Sequence, residues 1–163
     1  MKQIFLFASV SVACGLLFAN LYTSLIDSRS WGADIPNSIA ITRDYFKTVN
    51  PGNFFRIFSP VNQALGIIVL ILFWKTSPSV RLYLGAALAL YLLAEGLTFG
   101  YFFPRNDIMF KNARLTDVDL LRRTLSEWTT MNWVRSGILL TGIIFSFLSL
   151  HKIYAIHQKT ATA

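Results

Sequence analysis

Residues 82–103 read LYLGAALALYLLAEGLTFGYFF, an apolar stretch in which Glu95 is the only charged residue. An α-helix of about 20 residues crosses the ~30 Å hydrocarbon core of a bilayer, so this stretch predicts a transmembrane helix. A carboxylate at that depth costs at least ~2.5 kcal/mol unless it is protonated, paired or in contact with water. Glu95 is therefore the first candidate for a functional residue.

The composition indicates an integral membrane protein. Of the 163 residues, 54% are apolar and 14% are charged, whereas about 25% are charged in soluble domains. Four stretches can span a bilayer: residues 4–26, 60–74, 82–103 and 133–156. The second is short, but aromatic residues at 54, 55 and 58 extend its helix into the interface. The predicted fold class is an all-α antiparallel four-helix membrane bundle, with residues 1–163 forming one domain.

The first span has some features of a secretory signal, because Lys2 precedes the apolar run and small residues occur within it. However, Ser11 occupies the position where a lipoprotein cleavage site has a bulky aliphatic residue, and the apolar run continues to Tyr22. These two observations favour a retained helix. Cys14 is the only cysteine, so no disulfide can form within the chain, which argues against a membrane thiol oxidoreductase.

The distribution of charge favours cytoplasmic termini. Four spans place both termini and the short connection 75–81 on one side, where the basic residues are Lys2, Lys75, Arg81, Lys152 and Lys159 and no acid occurs. The two long connections on the other side mix basic and acidic residues, so the positive-inside rule orients the chain. The net charge of +7 predicts contact with anionic membrane lipids rather than nucleic acid. The sequence leaves open whether the chain forms a homo-oligomer.

Short amphipathic helices are predicted in the two long connections, where they form a cap on the membrane face. In residues 35–49, apolar residues recur at helical spacing, and Asn50-Pro51 then marks the start of the second spanning helix. In the other connection, Thr116 and Asp119 resemble a capping box. Apolar residues at helical spacing follow, so this helix is expected to run unbroken into the fourth span.

The polar residues of three spans fall in one leaflet. The first and third spans run toward the long connections and the fourth begins there, so Asn20, Glu95, Asn132 and Arg135 lie at similar depth. Tyr91 shares a face of the third helix with Glu95 because the two residues are four positions apart. Lipid offers buried polar groups no hydrogen-bond partner, so they turn toward each other. The sequence therefore predicts a polar pocket that opens toward the cap.

Three short motifs resemble the anthrone-oxygenase-like family of small four-helix membrane proteins, most of whose members have no assigned function. The motifs are Ala-Cys-Gly at residues 13–15, Pro-Arg-Asn at residues 104–106, and Trp128-x-x-x-Asn132-x-x-Arg135. The resemblance covers nearly the whole chain in layout. Family members often carry His where this chain has Asn132, a departure that argues against imidazole-based proton transfer here. Glu95 is not part of the family pattern, and the prediction that it is a functional residue rests on burial alone.

This resemblance implies a cofactor-free oxygenation, in which an aromatic polyketide loses a proton from an activated methylene and the enolate reacts with O₂ to give a quinone. In such a reaction, Glu95 can act as the base and Arg135 can hold the enolate oxygen. Five further residues are predicted to orient carbonyls or stack on a flat ring: Asn20, Asn106, Asn132, Tyr91 and Trp128. No metal or other cofactor is expected, because the spacing of His151 and His157 does not suit helical ligands.

The same residues have structural interpretations, so three classes of function stay open. Glu95 and Arg135 can form an ion pair that fixes helix register, Asn20 and Asn132 can join helices by hydrogen bonds, and residues 104–106 can simply end a helix. The first class is an enzyme with an enclosed cavity, and the second is a lipid-binding, small-ligand-binding or accessory protein with the same cavity. The third is a small transporter, which polar residues confined to one leaflet disfavour.

Overall fold

The computed structural model describes residues 2–112 and 116–161, which are almost entirely helical and include no strand. Five helices make up this part of the chain: α1 (Lys2–Gly32), α2 (Asn37–Tyr45), α3 (Pro51–Phe73), α4 (Pro78–Lys111) and α5 (Val118–Ala161). All except α2 are long and apolar enough to cross a bilayer. The all-α fold class and the four membrane-spanning helices are therefore confirmed.

The four long helices form a ring in which each contacts two neighbours. Helices α1 and α4 each pack against α3 and α5. Successive spans run in opposite directions, so each helix is antiparallel to both of its neighbours. Apolar cores lie near the termini, around Leu6 and Ile153, and in the middle, around Ala13 and Tyr91.

A third core, here called the cap cluster, lies at the end of the bundle beneath the long connections. It consists of seven buried residues: Trp31, Ile39, Phe102, Met109, Leu121, Leu125 and Trp128. Ile39 belongs to α2, which begins and ends within the predicted segment 35–49. The cap cluster thus joins α2 to the extended ends of α1, α4 and α5.

The helix starts follow local capping chemistry. Asn50 caps α3, as predicted: its side chain accepts the N–H of Gly52 at 2.9 Å, and the side chain of Asn53 accepts the N–H of Asn50 at 3.0 Å. The predicted cap at Thr116 is wrong by one residue, because α5 begins at Val118 and Asp117 accepts the N–H of Leu120 at 3.0 Å. A carboxylate is favoured there by the positive end of the helix dipole. As predicted, α5 then runs unbroken into the fourth span.

Helix α4 does not end at residues 104–106, contrary to the interpretation of that motif as a helix stop. It continues to Lys111 through π turns at Thr98–Phe102 and Asp107–Lys111. Pro104 is tolerated because it lies two residues after the end of the first π turn, where the α-helical hydrogen-bond pattern is already interrupted. A π turn at Thr23–Asp27 likewise extends α1 to Gly32, beyond the predicted end of the first span.

Candidate functional site

Arg135 is the centre of a buried polar cluster that joins three helices. Its guanidinium, on α5, donates to Asn20 Oδ1 of α1 at 2.6 Å, to Asn132 Oδ1 at 2.5 Å and to Thr98 Oγ1 of α4 at 3.2 Å. Asn132 is fully buried, and its Nδ2 donates to the Asn20 carbonyl at 3.1 Å and to Ser24 Oγ at 2.7 Å. The sequence prediction that Asn20, Asn132 and Arg135 lie at one depth agrees with these contacts.

Two π turns border this polar cluster and supply part of it. The turn in α1 contributes Ser24, and the turn in α4 contributes Thr98 and Phe102. The ring of Phe102 lies 4.0 Å from the Arg135 guanidinium carbon, within the range of a cation–π contact. The two π turns thus place Ser24, Thr98 and Phe102 around Asn132 and Arg135.

The positive charge of Arg135 has no acidic partner at contact distance. The ion pairs shorter than 4 Å in the described part of the chain are Arg105–Glu127, Arg123–Glu127 and Lys111–Asp107. The oxygens that Arg135 does contact are neutral amides and a hydroxyl, and its buried Nε finds no hydrogen-bond partner among the described residues. The cation is thus held in place by neutral groups and keeps a free donor.

A small cavity lies beside Arg135. The residues that line it are Leu16, Asn20, Phe55, Ser59, Asn62, Gln63, Tyr91, Ala94, Glu95, Thr98, Arg135 and Leu139. The half-buried members of this set all belong to α3 and α4, whereas those from α1 and α5 are buried. The more exposed part of the lining therefore comes from α3 and α4, and this side of the cavity is here called its mouth. The centre of a water-sized sphere can occupy about 20 Å³, enough for about one water molecule.

Glu95 lies on the wall of this cavity and is half-buried. Its carboxylate forms no ion pair shorter than 4 Å with Arg135, so the direct pair considered from the sequence is absent. The two opposite charges nevertheless face one cavity, where Glu95 interacts with Arg135 only through space. A carboxylate and a guanidinium therefore line one small volume.

Tyr91 also lines the cavity, but its hydroxyl is already engaged. Tyr91 Oη lies 3.1 Å from Ser146 Oγ, and its ring packs closely on α5 at Gly142. A Cβ atom added at Gly142 would lie 2.6 Å from Tyr91 Cε1. The aromatic ring thus forms a fixed part of the cavity wall.

The structure separates the other predicted binding residues from the cavity. Asn132 lies behind Arg135 and does not line the cavity. Trp128 and Asn106 are in the cap, where Trp128 Nε1 donates to Asn106 Oδ1 at 2.8 Å and the indole contacts Trp31 and Phe102 edge-on. The seven predicted site residues therefore fall into three groups. Four line the cavity (Asn20, Tyr91, Glu95 and Arg135), one supports Arg135 from behind (Asn132), and two lie in the cap (Asn106 and Trp128).

Three polar residues of α3 that the sequence interpretation passed over also line the cavity: Ser59, Asn62 and Gln63. Asn62 is only 2% exposed, and its Oδ1 has no hydrogen-bond partner among the described residues. The sequence feature that points to these residues is the pair of adjacent amides, Asn62 and Gln63, within an otherwise apolar span. Such a pair is costly in lipid unless at least one amide faces the bundle interior.

The comparisons with known proteins give one family. The sequence model of the family described as anthrone oxygenase matches residues 53–145, more than half of the chain. This region includes every cavity-lining residue except Leu16 and Asn20. Neither a curated protein nor a solved structure matches the chain. The family match, over the region that carries the cavity, establishes that this chain belongs to the anthrone oxygenase family.

Proposed function

We propose that the protein is a cofactor-independent oxygenase that acts on an aromatic or otherwise hydrophobic substrate in the cavity beside Arg135. The observation that carries this proposal is a buried guanidinium that contacts neutral oxygens only and keeps an unpaired N–H. A buried cation without a contacting acid favours an anion, because the charge is already desolvated and held in place. An enolate oxygen is such an anion, and family membership supports enolate chemistry.

In the proposed reaction, Glu95 takes a proton from a methylene group activated by a carbonyl, and the electron pair moves onto the carbonyl oxygen beside Arg135. The enolate carbon then transfers electrons to O₂ and forms a C–O bond, and the protonated Glu95 returns its proton to give a hydroperoxide. Loss of the second proton from this carbon breaks the O–O bond and leaves a carbonyl. One methylene and one O₂ thus become one carbonyl and one water, with O₂ as the oxidant.

The position of the mouth supports a hydrophobic substrate. It is lined by two helices that are long and apolar enough to span the bilayer, so a lipophilic molecule can approach from the membrane. Pro60 lies inside α3, among the lining residues Ser59, Asn62 and Gln63. Because proline removes a backbone hydrogen bond, this part of α3 is the segment that can most easily bend to admit a ring.

The proposal is tested with the full-length protein in lipid nanodiscs, with anthrone as the probe and oxygen uptake and anthraquinone absorbance as readouts. We expect oxidation faster than in empty nanodiscs and a loss of about 10²-fold or more in Glu95→Gln, which removes the base. Glu127→Gln is the matched control, because Glu127 is a carboxylate of the cap that pairs with Arg105. The proposal fails if wild type does not exceed empty nanodiscs, or if Glu95→Gln oxidises anthrone as fast as wild type.

A second candidate is a non-catalytic protein that binds a lipid or a small hydrophobic ligand. Two observations favour it: the cavity holds only about one water molecule, and Arg135 already ties α1, α4 and α5 together. Under this alternative, Glu95→Gln changes ligand retention or stability but not oxygen uptake. Mass spectrometry of molecules retained by the gently purified protein separates the two, because a quinone or polyketide supports the enzyme and phospholipid alone supports the alternative.

A further inference from the structure

Two buried polar atoms lack a hydrogen-bond partner among residues 2–112 and 116–161, and they belong to residues that face one cavity. They are Asn62 Oδ1 on α3 and Arg135 Nε on α5. Asn62 is 2% exposed and Arg135 is 7% exposed, so neither atom is compensated by bulk water. Native proteins leave few such groups unsatisfied, and each one calls for an explanation. A ligand group bonded to both atoms would account for their occurrence together on residues that line one cavity.

The two atoms have complementary chemistry. Arg135 Nε–H can only donate a hydrogen bond, and Asn62 Oδ1 can only accept one. A hydroxyl group satisfies both, because its oxygen accepts from Arg135 while its hydrogen is donated to Asn62. A ketone or ether oxygen satisfies only Arg135, and an ammonium group satisfies only Asn62 and is repelled by the guanidinium.

The size and lining of the cavity agree with this assignment. The space open to the centre of a water-sized sphere, about 20 Å³, accommodates one oxygen atom but not a ring. The rings of Phe55 and Tyr91 also line the cavity, and Phe55 is half-buried on the mouth side. An aromatic body can therefore lie at the mouth against these rings while its hydroxyl reaches inward.

We propose that Asn62 and Arg135 bind the hydroxyl of a phenol or enol, and that Asn62 determines the preference for this group over a ketone or an ether. The inference rests on the ligand site of the proposed function but does not require turnover. It extends that function, because the enol is the tautomer of the carbonyl substrate, and loss of its O–H proton gives the same enolate beside Arg135 as loss of the methylene proton to Glu95. Asn62 is then a specificity-determining residue for the enol tautomer, and Glu95 is the base for the keto tautomer.

The test compares two probes that share a ring and differ in one hydrogen-bond donor, 1-naphthol and 1-methoxynaphthalene. Their binding to the full-length protein in phosphatidylcholine nanodiscs is measured by titration calorimetry, with partitioning into empty nanodiscs subtracted. We expect wild type to bind 1-naphthol about tenfold more tightly, since one well-formed hydrogen bond has about this effect on affinity. Equal binding of the two probes, or no binding of either, overturns the proposal without any variant.

The variant Asn62→Leu removes the acceptor and keeps the branched arrangement of four side-chain heavy atoms. We expect it to lower the affinity for 1-naphthol about tenfold and to abolish the preference, while binding of 1-methoxynaphthalene stays the same. Asn112→Leu is the matched control, because Asn112 is an exposed amide at the end of α4, away from the cavity. Retention of the preference in Asn62→Leu would overturn the assignment of Asn62 as the residue that determines it.

These outcomes are independent of the anthrone experiment. If 1-naphthol is preferred but anthrone is not oxidised, the hydroxyl site stands and the oxygenase proposal fails. If anthrone is oxidised but the two naphthalene probes bind equally, the oxygenase proposal stands and the assignment of Asn62 fails.

Discussion

Two arginines near the contact between α4 and α5 are held in opposite ways. Arg105, in the cap, donates to Glu127 Oε2 at 2.7 Å and to the Tyr101 carbonyl at 3.2 Å, and its guanidinium carbon lies 3.5 Å from the centre of the Tyr101 ring. Arg135, beside the cavity, also lies over an aromatic ring, that of Phe102, but it hydrogen-bonds only to neutral oxygens, and its Nε–H has no partner among the described residues. The charge of Arg105 is paired with an acid, whereas Arg135 has no acid at contact distance in the described part of the chain.

The same contrast extends to the residues around each arginine. In the cap, the indole N–H of Trp128 is satisfied by Asn106, and the aromatic rings contact each other edge-on. At the cavity, Asn62 Oδ1 is buried without a partner in the described part of the chain. Complete satisfaction of polar groups stabilises a closed region, while incomplete satisfaction costs free energy that a ligand can return.

The largest expected effect on folding is in the cap. Trp128→Ala removes a ring that is 4% exposed and contacts Trp31 and Phe102, so we expect a loss of about 3–5 kcal/mol in the free energy of unfolding. Trp133→Ala, five residues later and 46% exposed, is the matched control and should cost much less. Denaturant unfolding in detergent measures both. Equal losses would contradict the view of the cap as a packed core.

The next effect separates the two arginines by activity. Arg135→Lys keeps the charge but loses the planar fork that contacts Asn20, Asn132 and Thr98. We expect anthrone oxidation to fall about 10²–10³-fold, the usual cost of removing one donor from an anion-stabilising site. Arg105→Lys should retain the wild-type rate. If both variants lose activity equally, the cap also takes part in the reaction and the contrast between the arginines is broken.

A smaller effect is expected at the wall that supports Tyr91. Gly142→Ala places a methyl group 2.6 Å from Tyr91 Cε1, so the ring must shift, and we expect a cost of about 1–3 kcal/mol. Gly137→Ala is the control on the same helix, because its added Cβ meets no atom within 4 Å. Thermal unfolding in detergent measures the difference. A Gly142→Ala variant as stable as Gly137→Ala would indicate a yielding cavity wall.

The smallest effect is expected for the exposed part of the cap. Glu127→Gln weakens contacts to Arg105 and Arg123, of which Arg123 is 80% exposed at its side chain. Pairs in contact with water contribute little and are screened by salt. We expect a slight fall of the unfolding midpoint at low ionic strength that disappears at high ionic strength. A large fall that salt does not reduce would place this pair in an environment as dry as that of Arg135.

Hydrophobic length predicted the number of spans, and local capping chemistry predicted where α3 begins. The spans, the cap of α3 at Asn50 and the common depth of Asn20, Asn132 and Arg135 follow from rules that act over a few residues. The partners of Arg135 did not follow, because the rotation of each helix about its axis decides whether Thr98 or Glu95 contacts the guanidinium. The position of Asn62 did not follow either, because the apolar length of the second span predicts that it crosses the bilayer but not which of its side chains face the bundle interior.

The unbroken α5 has a mechanical consequence. Its 44 residues extend about 65 Å at 1.5 Å per residue, roughly twice the thickness of the hydrocarbon core. A continuous helix of this length behaves as a stiff rod, so a tilt imposed on the cap at Leu121 also displaces the far end at Ile153. Hydrogen bonds from Arg135 to α1 and α4 hold the rod to its neighbours at a point between these two ends, at the level of the cavity.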